Sequence, residues 1–232
     1  MQREIVLDTE TTGLKANGGD RLVEIGCIEM INRIPTGIEF HAFINPEGRE
    51  VHPEAEAIHG ISNAFLADKP AFHEVVGGFI EFIADDQLVI HNAPFDIGFI
   101  NMELQRIDQP PLMMERVVDT LALARRKHPA GPNTLDALCK RYGIDNTIRT
   151  KHGAIVDSLL LADVYVELLG ERQANLSLAQ KGQASSERRR AEKAACRPEP
   201  LPGRLTPEAL AEHDAFVETL GDNPIWKSFA SR

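Results

Sequence analysis

The stretch Ile5–Gly13, with the sequence IVLDTETTG, is the feature that most constrains how this chain folds. Its first part, Ile5–Leu7, is a continuous apolar run, which is typical of a strand buried on both faces. Asp8 and Glu10 follow directly, and side chains two residues apart on a strand point to the same face. The stretch therefore predicts a buried strand that carries two carboxylates side by side.

These two carboxylates would repel each other and resist ionisation unless a cation lies nearby. Ligands that offer only oxygen suit a hard ion, so Mg²⁺ or Mn²⁺ is the expected partner. Taken alone, the stretch also fits a simpler interpretation in which the strand ends at the surface and both acids face water. The choice between them depends on the rest of the chain.

Length, charge and cysteine content limit the classes of protein to consider. With 232 residues, the chain is long enough for one large α/β domain and a tail. We expect no secretory signal, no membrane partner and free thiols at Cys27, Cys139 and Cys196, as in the cytoplasm. The net charge of -10 argues against nonspecific coating of DNA, although an enzyme that grips phosphates through metal ions remains compatible with it.

Hydrophobic patterning predicts five strands in a mixed sheet with helices on both faces. After the first strand, Leu22–Ile31 and Ile38–Ile44 form an antiparallel meander, with Glu24 and Glu29 at exposed points of the second strand. Leu88–Ile90 and Val117–Thr120 supply the other two strands. Helices are predicted over residues 52–61, 72–83, 94–106, 121–127, 134–142 (capped by Asn133), 153–169 and 205–220.

Two later junctions bring further acids toward the first strand. Asp96 closes the sequence HNAPFD, which follows the fourth strand, and Asp157 lies in the helix predicted to begin at Gly153. His152 precedes that helix and would lie on a loop, free to swing over a site. The predicted topology lets Asp8, Glu10, Asp96 and Asp157 meet at one edge of the sheet.

Three motifs carry a family resemblance: DTETTG at 8–13, HNAPFD at 91–96 and HGAIVD at 152–157. In this order and spacing they resemble the motifs of the four-acid-plus-histidine family of proofreading 3′–5′ exonucleases, over residues 1–170. The resemblance implies a ribonuclease H-like fold and an enzyme that removes nucleotides from a single-stranded or frayed DNA 3′ end.

The resemblance also implies two divalent cations, Mg²⁺ or Mn²⁺, and a role for each motif residue. Asp8 would bridge the ions, Glu10 and Asp157 would complete the site of the attacking water, and Asp96 would hold the second ion. His152 would accept a proton from the water as general base. The residues expected to contact substrate are Asp8, Glu10, Thr11, Glu54, Ile58, His59, Asn92, Phe95 and Asp157.

The composition changes after residue 170, and the tail is similar to that of proofreading subunits of bacterial DNA polymerase III. We expect a clamp-binding segment at 171–180, with Gln173–Leu178 docking on the sliding clamp, then a flexible linker at 181–203. A helical segment at 204–232 would bind the polymerase (alpha) subunit, which places the protein in the cytoplasm, at the nucleoid and replisome.

Two other functions remain open from the sequence. An RNA 3′-end trimming exonuclease similar to ribonuclease T would use the same core chemistry, but it would have no need of a clamp segment or a tethered terminal helix. A scaffold with a degenerate nuclease fold is disfavoured, because all five motif residues are present: Asp8, Glu10, Asp96, His152 and Asp157.

Overall fold

The computed structural model describes residues 2–147, 149, 151–170 and 206–221. The chain divides into two compact units, residues 1–176 and 177–232. The first unit contains the sheet, and the described part of the second contains one helix. The predicted segments 171–180 and 181–203 lie outside the described residues.

The first unit is built on a mixed five-stranded sheet, as predicted, with the strand order β3-β2-β1-β4-β5. β2 pairs antiparallel with both β1 and β3. On the other side, β4 runs parallel to β1, and β5 runs parallel to β4. The strands are β1 (Arg3–Thr11), β2 (Leu22–Ile31), β3 (Ile34–Phe43), β4 (Gln87–Ile90) and β5 (Val117–Asp119).

The described residues form eight α-helices, together with short 3₁₀ turns at Ala16–Gly18 and Met114–Arg116. They are α1 (Pro53–His59), α2 (Asn63–Leu66), α3 (Phe72–Ile83), α4 (Ala93–Arg106), α5 (Thr120–Lys127), α6 (Leu135–Tyr142), α7 (Ala154–Leu169) and, in the second unit, α8 (Pro207–Glu218). None of the described helices has the length and apolar character needed to cross a membrane.

The sheet separates two apolar cores, and β1 contributes alternate residues to each. Ile5 and Leu7 pack with α3 and α4 on one face, whereas Val6 packs with α5, α6 and α7 on the other. The same alternation puts Asp8 and Glu10 on the α7 side and Thr9 on the α4 side. The strand thus reaches elements on both faces of the sheet at the point where its acids lie.

The third strand begins earlier than predicted, at Ile34 instead of Ile38. The connection to β2 is a tight turn at Asn32 and Arg33, which have φ angles of 50° and 68°. Two consecutive positive φ angles suit the twist of a hairpin, but they usually occur at Asn-Gly or Asp-Gly. Because arginine is an uncommon second residue for such a turn, the sequence predicted a longer loop.

Glu24 and Glu29 are buried, which corrects the prediction that they lie at exposed points. Glu24 accepts a hydrogen bond from the Ala154 N–H at 3.2 Å and lies 2.7 Å from His41 Nε2. Glu29 accepts hydrogen bonds from the Arg3 guanidinium at 2.5 Å and from the Thr36 hydroxyl at 2.7 Å. Paired carboxylates can be buried, and hydrophobic alternation does not reveal such partners.

Helix boundaries follow the sequence closely where a cap is encoded locally. Ser62 caps α2, Gly143 ends α6, and α3 spans the residues predicted for it. The cap of α6 is Thr134, whose hydroxyl accepts from the Ala137 N–H at 3.3 Å, and not Asn133 as predicted. Thr206 caps α8 in the same way, within the segment 205–220 that is predicted to be helical.

Candidate active site

Four acidic side chains converge at the carboxyl ends of β1 and β4, which are parallel neighbours. Asp8 and Glu10 lie on β1 itself. Asp96 and Asp157 each lie in the first turn of a helix, α4 and α7, where the helix dipole favours a negative charge. His152 is exposed and lies in the loop before α7. The crevice outside the carboxyl ends of strands is a common place for ligands in α/β proteins.

Gly26 lets α7 approach the sheet closely enough to bring Asp157 beside β1. It pairs with Asp8 across β1 and β2. A Cβ atom at Gly26 would lie 2.4 Å from the carbonyl carbon of Ala154 and 2.5 Å from the nitrogen of Ile155. The Ser158 hydroxyl donates to the Gly26 carbonyl at 3.0 Å, which holds the contact. Only glycine permits this approach.

The two helix-borne acids each have a fixed partner. The Thr9 hydroxyl donates to Asp96 Oδ1 at 2.6 Å, from the face of β1 opposite to Asp8 and Glu10. Arg149 makes a bidentate contact with Asp157, from Nε to Oδ1 at 2.5 Å and from Nη2 to Oδ2 at 2.6 Å. Both carboxylates are buried, so these contacts fix their orientation.

Burial is the main reason why the pKa values of Asp8, Glu10 and Asp96 are raised. Burial raises the pKa of Asp8 well above its usual range, and the charges of Asp96, Glu10 and Asp157 add to the increase. Burial, followed by repulsion from Asp157 and Glu24, raises the pKa of Glu10 to about 8. Burial also raises the pKa of Asp96 to about 7, although the Thr9 hydrogen bond opposes this. A nearby cation would favour the ionised forms.

The residues fit a divalent metal centre. Glu10, His152 and Asp157 each offer a ligand atom, and these atoms lie within 4.8 Å of one another. Asp8 lies close enough to Glu10 and Asp157 for their charges to raise its pKa. Its carboxylate can therefore supply additional oxygen ligands to a metal ion. A donor set dominated by carboxylate oxygen suits Mg²⁺ or Mn²⁺.

Two cavities lie on either side of the end of β1 and share Thr9, Glu10 and Phe95. The acidic cavity, of about 730 Å³, is lined by Asp8, Asp96, Arg149, His152 and Asp157, among others. The apolar cavity, of about 600 Å³, is lined by Thr11, Leu14, Glu54, Ala55, Ile58 and His59, among others. One side of β1 is therefore charged and the other largely apolar.

The residues predicted to contact substrate are divided between these cavities. Thr11, Glu54, Ile58 and His59 line the apolar cavity, and Asn92 lines the acidic cavity. Phe95 lines both and packs on Phe99, with ring centroids 4.9 Å apart.

Three of these residues have a defined local state. The Thr11 hydroxyl already donates to the Gly13 carbonyl at 2.6 Å. Ile58 is 51% exposed, although it is apolar. His59 is buried, its Nδ1 accepts from the Ile61 N–H at 3.0 Å, and burial lowers its pKa, which favours a neutral ring.

Comparison with known proteins places this site in a family. The model of the exonuclease family matches residues 5–165. DNA polymerase III subunit epsilon of Rickettsia conorii is 53% identical over 182 residues, which cover 77% of this chain and 79% of the relative. The epsilon subunit of Escherichia coli K12 is 41% identical over 239 residues, covering 97% of this chain and 98% of the relative. The chain belongs to the DNA polymerase III epsilon family of exonucleases.

A solved structure supports the fold of this epsilon-family chain. The nuclease domain of 3′hExo, a DEDDh family member bound to rAMP, superposes with a TM-score of 0.64. It is 14% identical and covers 73% of this chain and 92% of that domain. The predicted ribonuclease H-like fold is therefore confirmed, as is the predicted class of enzyme, a metal-dependent 3′–5′ exonuclease. The comparisons give no support to the RNA-trimming alternative over the epsilon prediction.

Sequence reasoning missed three residues that shape the site: Thr9, Gly26 and Arg149. Thr9 lies between the two acids of the first motif in sequence, but nothing in that pattern indicates that its hydroxyl donates to Asp96. Gly26 interrupts an apolar strand, and an isolated glycine in a strand can signal close approach by another backbone. Arg149 lies shortly before His152, but nothing in the local sequence indicates that it turns into the acid cluster.

Proposed function

We propose that this chain is the proofreading 3′–5′ exonuclease of a bacterial replicative DNA polymerase and releases nucleoside monophosphates from a mismatched DNA 3′ end. The observation that supports it most is the convergence of four carboxylates and His152 in the acidic cavity, in a chain of the epsilon family. Phosphodiester hydrolysis needs an activated water and relief of charge on the leaving oxygen, and this donor set suits both tasks.

The four acids would hold two divalent cations, Mg²⁺ or Mn²⁺. Asp8 has the most crowded position and is assigned to both ions, with Glu10 and Asp157 on one and Asp96 on the other. When bound, the ions would supply Lewis-acid stabilisation of the charge on the scissile phosphate. The raised pKa values of Glu10 and Asp96 support this assignment, since burial penalises their charged forms and a bound cation would offset that penalty.

His152 is assigned as general base. Its exposed ring lies on the loop before α7, with Nδ1 3.3 Å from Asp157 Oδ2. Histidine is the side chain that most often accepts a proton from an attacking water in enzymes. The loop position would let the ring adjust to the substrate while Asp157 stays fixed by the helix.

The 3′-terminal nucleotide would enter the apolar cavity, with its phosphate at the acids. Ile58 offers an exposed apolar surface to the base or sugar, and Phe95 lies where the two cavities meet. Contacts of this kind tolerate any base but require it to be unstacked and unpaired. A mismatched end frays more easily than a paired one, which gives the preference that proofreading needs.

The test compares four 5′-labelled substrates: primer–template DNA with a paired 3′ end, the same duplex with a mismatched end, single-stranded DNA and single-stranded RNA. We expect Mg²⁺-dependent release of mononucleotides from the single strand and the mismatched end, slower release from the paired end, and little from RNA. Equal or faster digestion of RNA, or no digestion of DNA, would contradict the proposal.

We also propose docking roles for the tail. The segment Gln173–Leu178 would bind the sliding clamp, and residues 204–232 would bind the polymerase alpha subunit, with 181–203 as tether and 1–170 as the nuclease domain. Support comes from α8, where Leu210 and Phe216 are 51% and 63% exposed. A tether between two docked points keeps the nuclease at high effective concentration near a growing end. These assemblies would form in the cytoplasm, at the replisome.

Two binding experiments test the tail separately. A peptide of residues 170–181 is titrated against the clamp, and absence of binding at high micromolar concentration would contradict that role. Co-purification of the polymerase subunit with chains that contain or lack residues 204–232 tests the other. Capture that survives the deletion would show that the polymerase binds elsewhere.

A further inference from the structure

We propose that Arg149 is a positioning residue that holds the active site in a resting state. Its guanidinium caps the base His152 and contacts both oxygens of Asp157. It moves away from these groups when a divalent cation binds. The inference rests on the proposed function, because it concerns the same acids and the same base. It adds a coupling between metal loading and release of the base.

The guanidinium of Arg149 contacts side chains that line the acidic cavity, and the arginine side chain is only 6% exposed. Nε and Nη2 donate to the two oxygens of Asp157 at 2.5 and 2.6 Å. Nη1 donates to Asp136 Oδ1 at 2.6 Å, and Nη2 also lies 2.8 Å from His152 Nδ1. One planar cation thus connects a proposed metal ligand, the proposed base and an outer acid.

His152 Nδ1 lies 2.8 Å from Arg149 Nη2 and 3.3 Å from Asp157 Oδ2, and the shorter contact defines the tautomer that the inference assigns. Arginine carries only N–H donors and no acceptor, so Nδ1 of His152 must accept through its lone pair. A neutral imidazole has one lone pair and one N–H, so the proton is then on Nε2. In this arrangement neither nitrogen of His152 is free to accept a proton from water. The base is capped until the guanidinium leaves.

The contact with Asp157 sets up competition with a metal ion. The Arg149 guanidinium binds both oxygens of the carboxylate. A divalent cation bound to the same carboxylate would repel it at short range, because both are positively charged. The two occupants therefore oppose each other, and the effect is reciprocal, because coupling between two ligands of one site acts equally in both directions. Asp136, with a side chain that is 58% exposed, offers an outer position where the displaced guanidinium keeps a partner.

Arg149 also has a function before the metal arrives. Its charge favours the ionised forms of Asp8 and Glu10, which are close to other carboxylates. A cluster of buried carboxylates without any cation would be strained, so an internal cation keeps the acids in place. Metal binding would exchange this cation for a stronger one and uncap His152 in the same event.

The first experiment measures metal binding without substrate. Mn²⁺ is titrated into metal-free full-length protein and followed by electron paramagnetic resonance, for wild type, Arg149→Gln and Arg149→Lys. Arg126→Gln is the matched control, because it removes an exposed arginine of α5 that lies outside both cavities. We expect Arg149→Gln to bind Mn²⁺ about tenfold more tightly, roughly 1.4 kcal/mol. Arg149→Lys should lie between it and wild type, since lysine cannot make the bidentate contact.

Unchanged or weaker Mn²⁺ binding by Arg149→Gln would overturn the inference and assign Arg149 a supporting role in the loaded site. Thermal melts of the metal-free proteins serve as the folding control, and Arg149→Gln should melt at a lower temperature than wild type and Arg126→Gln. A wild-type protein that binds no Mn²⁺ at all would instead refute the metal site of the proposed function.

The second experiment reads the His152 ring directly. Nitrogen-15 chemical shifts of the histidine rings are recorded for metal-free protein at a pH where imidazole is neutral, with His152→Gln used for assignment. We expect the proton of His152 on Nε2 in wild type and a mixture of both tautomers in Arg149→Gln. A proton on Nδ1 in the metal-free wild type would contradict the capped state, whatever the nuclease activity.

Discussion

The acidic and apolar cavities share Thr9, Glu10 and Phe95, but the surface of the second cavity is mostly apolar. The acidic cavity contains carboxylates with raised pKa values and a buried arginine, whereas the apolar cavity presents Ile58 and a neutral His59. Under the proposed function, this difference predicts that the acidic cavity serves bond cleavage and the apolar cavity serves nucleotide recognition. Substitutions on the acidic side should reduce kcat, and those on the apolar side should raise KM.

The largest effect is expected for Asp8→Asn. The loss of this carboxylate should reduce kcat by about 10⁴-fold, because metal-based charge stabilisation is worth several kcal/mol and each 1.4 kcal/mol is roughly tenfold in rate. Single-turnover release of mononucleotides from single-stranded DNA measures it. The metal-free protein should melt at the same temperature as wild type or higher, since a source of repulsion is gone. Activity within tenfold of wild type would refute the assignment.

A smaller loss is expected for His152→Gln, which removes the general base but leaves the four acids. The expected decrease in kcat is about 10²- to 10³-fold, the usual contribution of general base catalysis. Its Mn²⁺ affinity should stay within a few-fold of wild type, which separates a base from a metal ligand. Loss of Mn²⁺ binding together with activity would instead make His152 a ligand.

Gly26→Ala tests whether close approach of α7 supports the acidic cavity alone. The added methyl group would meet the backbone of Ala154 and Ile155, so we expect about 1–3 kcal/mol of destabilisation and a lower kcat with little change in KM. Gly77→Ala is the matched control, because nothing lies within 4 Å of a Cβ atom at this position of α3. It should be neutral or stabilise by about 0.5–1 kcal/mol. Equal behaviour of both variants would contradict the role of Gly26.

The stability of the metal-free protein should fall as pH rises toward 8. The pKa values of Glu10 and Asp96 are raised to about 8 and about 7, so the folded state binds more protons than the unfolded state between about pH 4 and 8. Their stabilising contribution is complete below the unfolded pKa and is lost as pH rises through the folded pKa. Each kcal/mol lost lowers Tm by about 2–4 °C for a chain of this size.

Melting curves across this range, with and without Mg²⁺, provide the measurement for the pH prediction. Added Mg²⁺ should oppose the decrease at high pH, because it favours the ionised carboxylates. Glu10→Gln should flatten the pH dependence of the metal-free protein. A melting temperature that rises steadily with pH in the absence of metal would show that the acids are ionised without a cation.

The smallest effect is expected for Ile58→Ser, on the apolar side. About half of the side chain is exposed and would be covered by a bound nucleotide, so its loss should cost about 1 kcal/mol. This predicts roughly a fivefold rise in KM with kcat nearly unchanged, measured on single-stranded DNA. A decrease in kcat with constant KM would contradict the proposal that the two cavities have separate roles.

The sequence predicted what is encoded locally. Asp8 and Glu10 are two residues apart on a strand, and Asp96 and Asp157 follow clear helix starts, so their elements and even their shared sheet edge could be inferred. The parallel pairing of β1 and β4 explains why this inference worked, since both strands end at the same edge.

The remaining features depend on which elements pack against each other. Glu24 accepts a hydrogen bond from the Ala154 N–H, and Gly26 contacts the α7 backbone closely. Both contacts depend on the position of α7 over β2. Arg149 turns inward because three acceptors from α6, α7 and the loop between them surround it. No periodicity or cap signal in the chain describes such tertiary contacts, so the sequence alone left them out.

The central claim is that the acids at the ends of β1 and β4 bind a pair of divalent ions. The most direct measurement is anomalous diffraction from crystals grown with Mn²⁺. The account predicts two anomalous peaks roughly 4 Å apart, one beside Asp8, Glu10 and Asp157 and the other beside Asp8 and Asp96. No peak at these carboxylates in crystals saturated with Mn²⁺, or peaks only elsewhere on the protein, would contradict it.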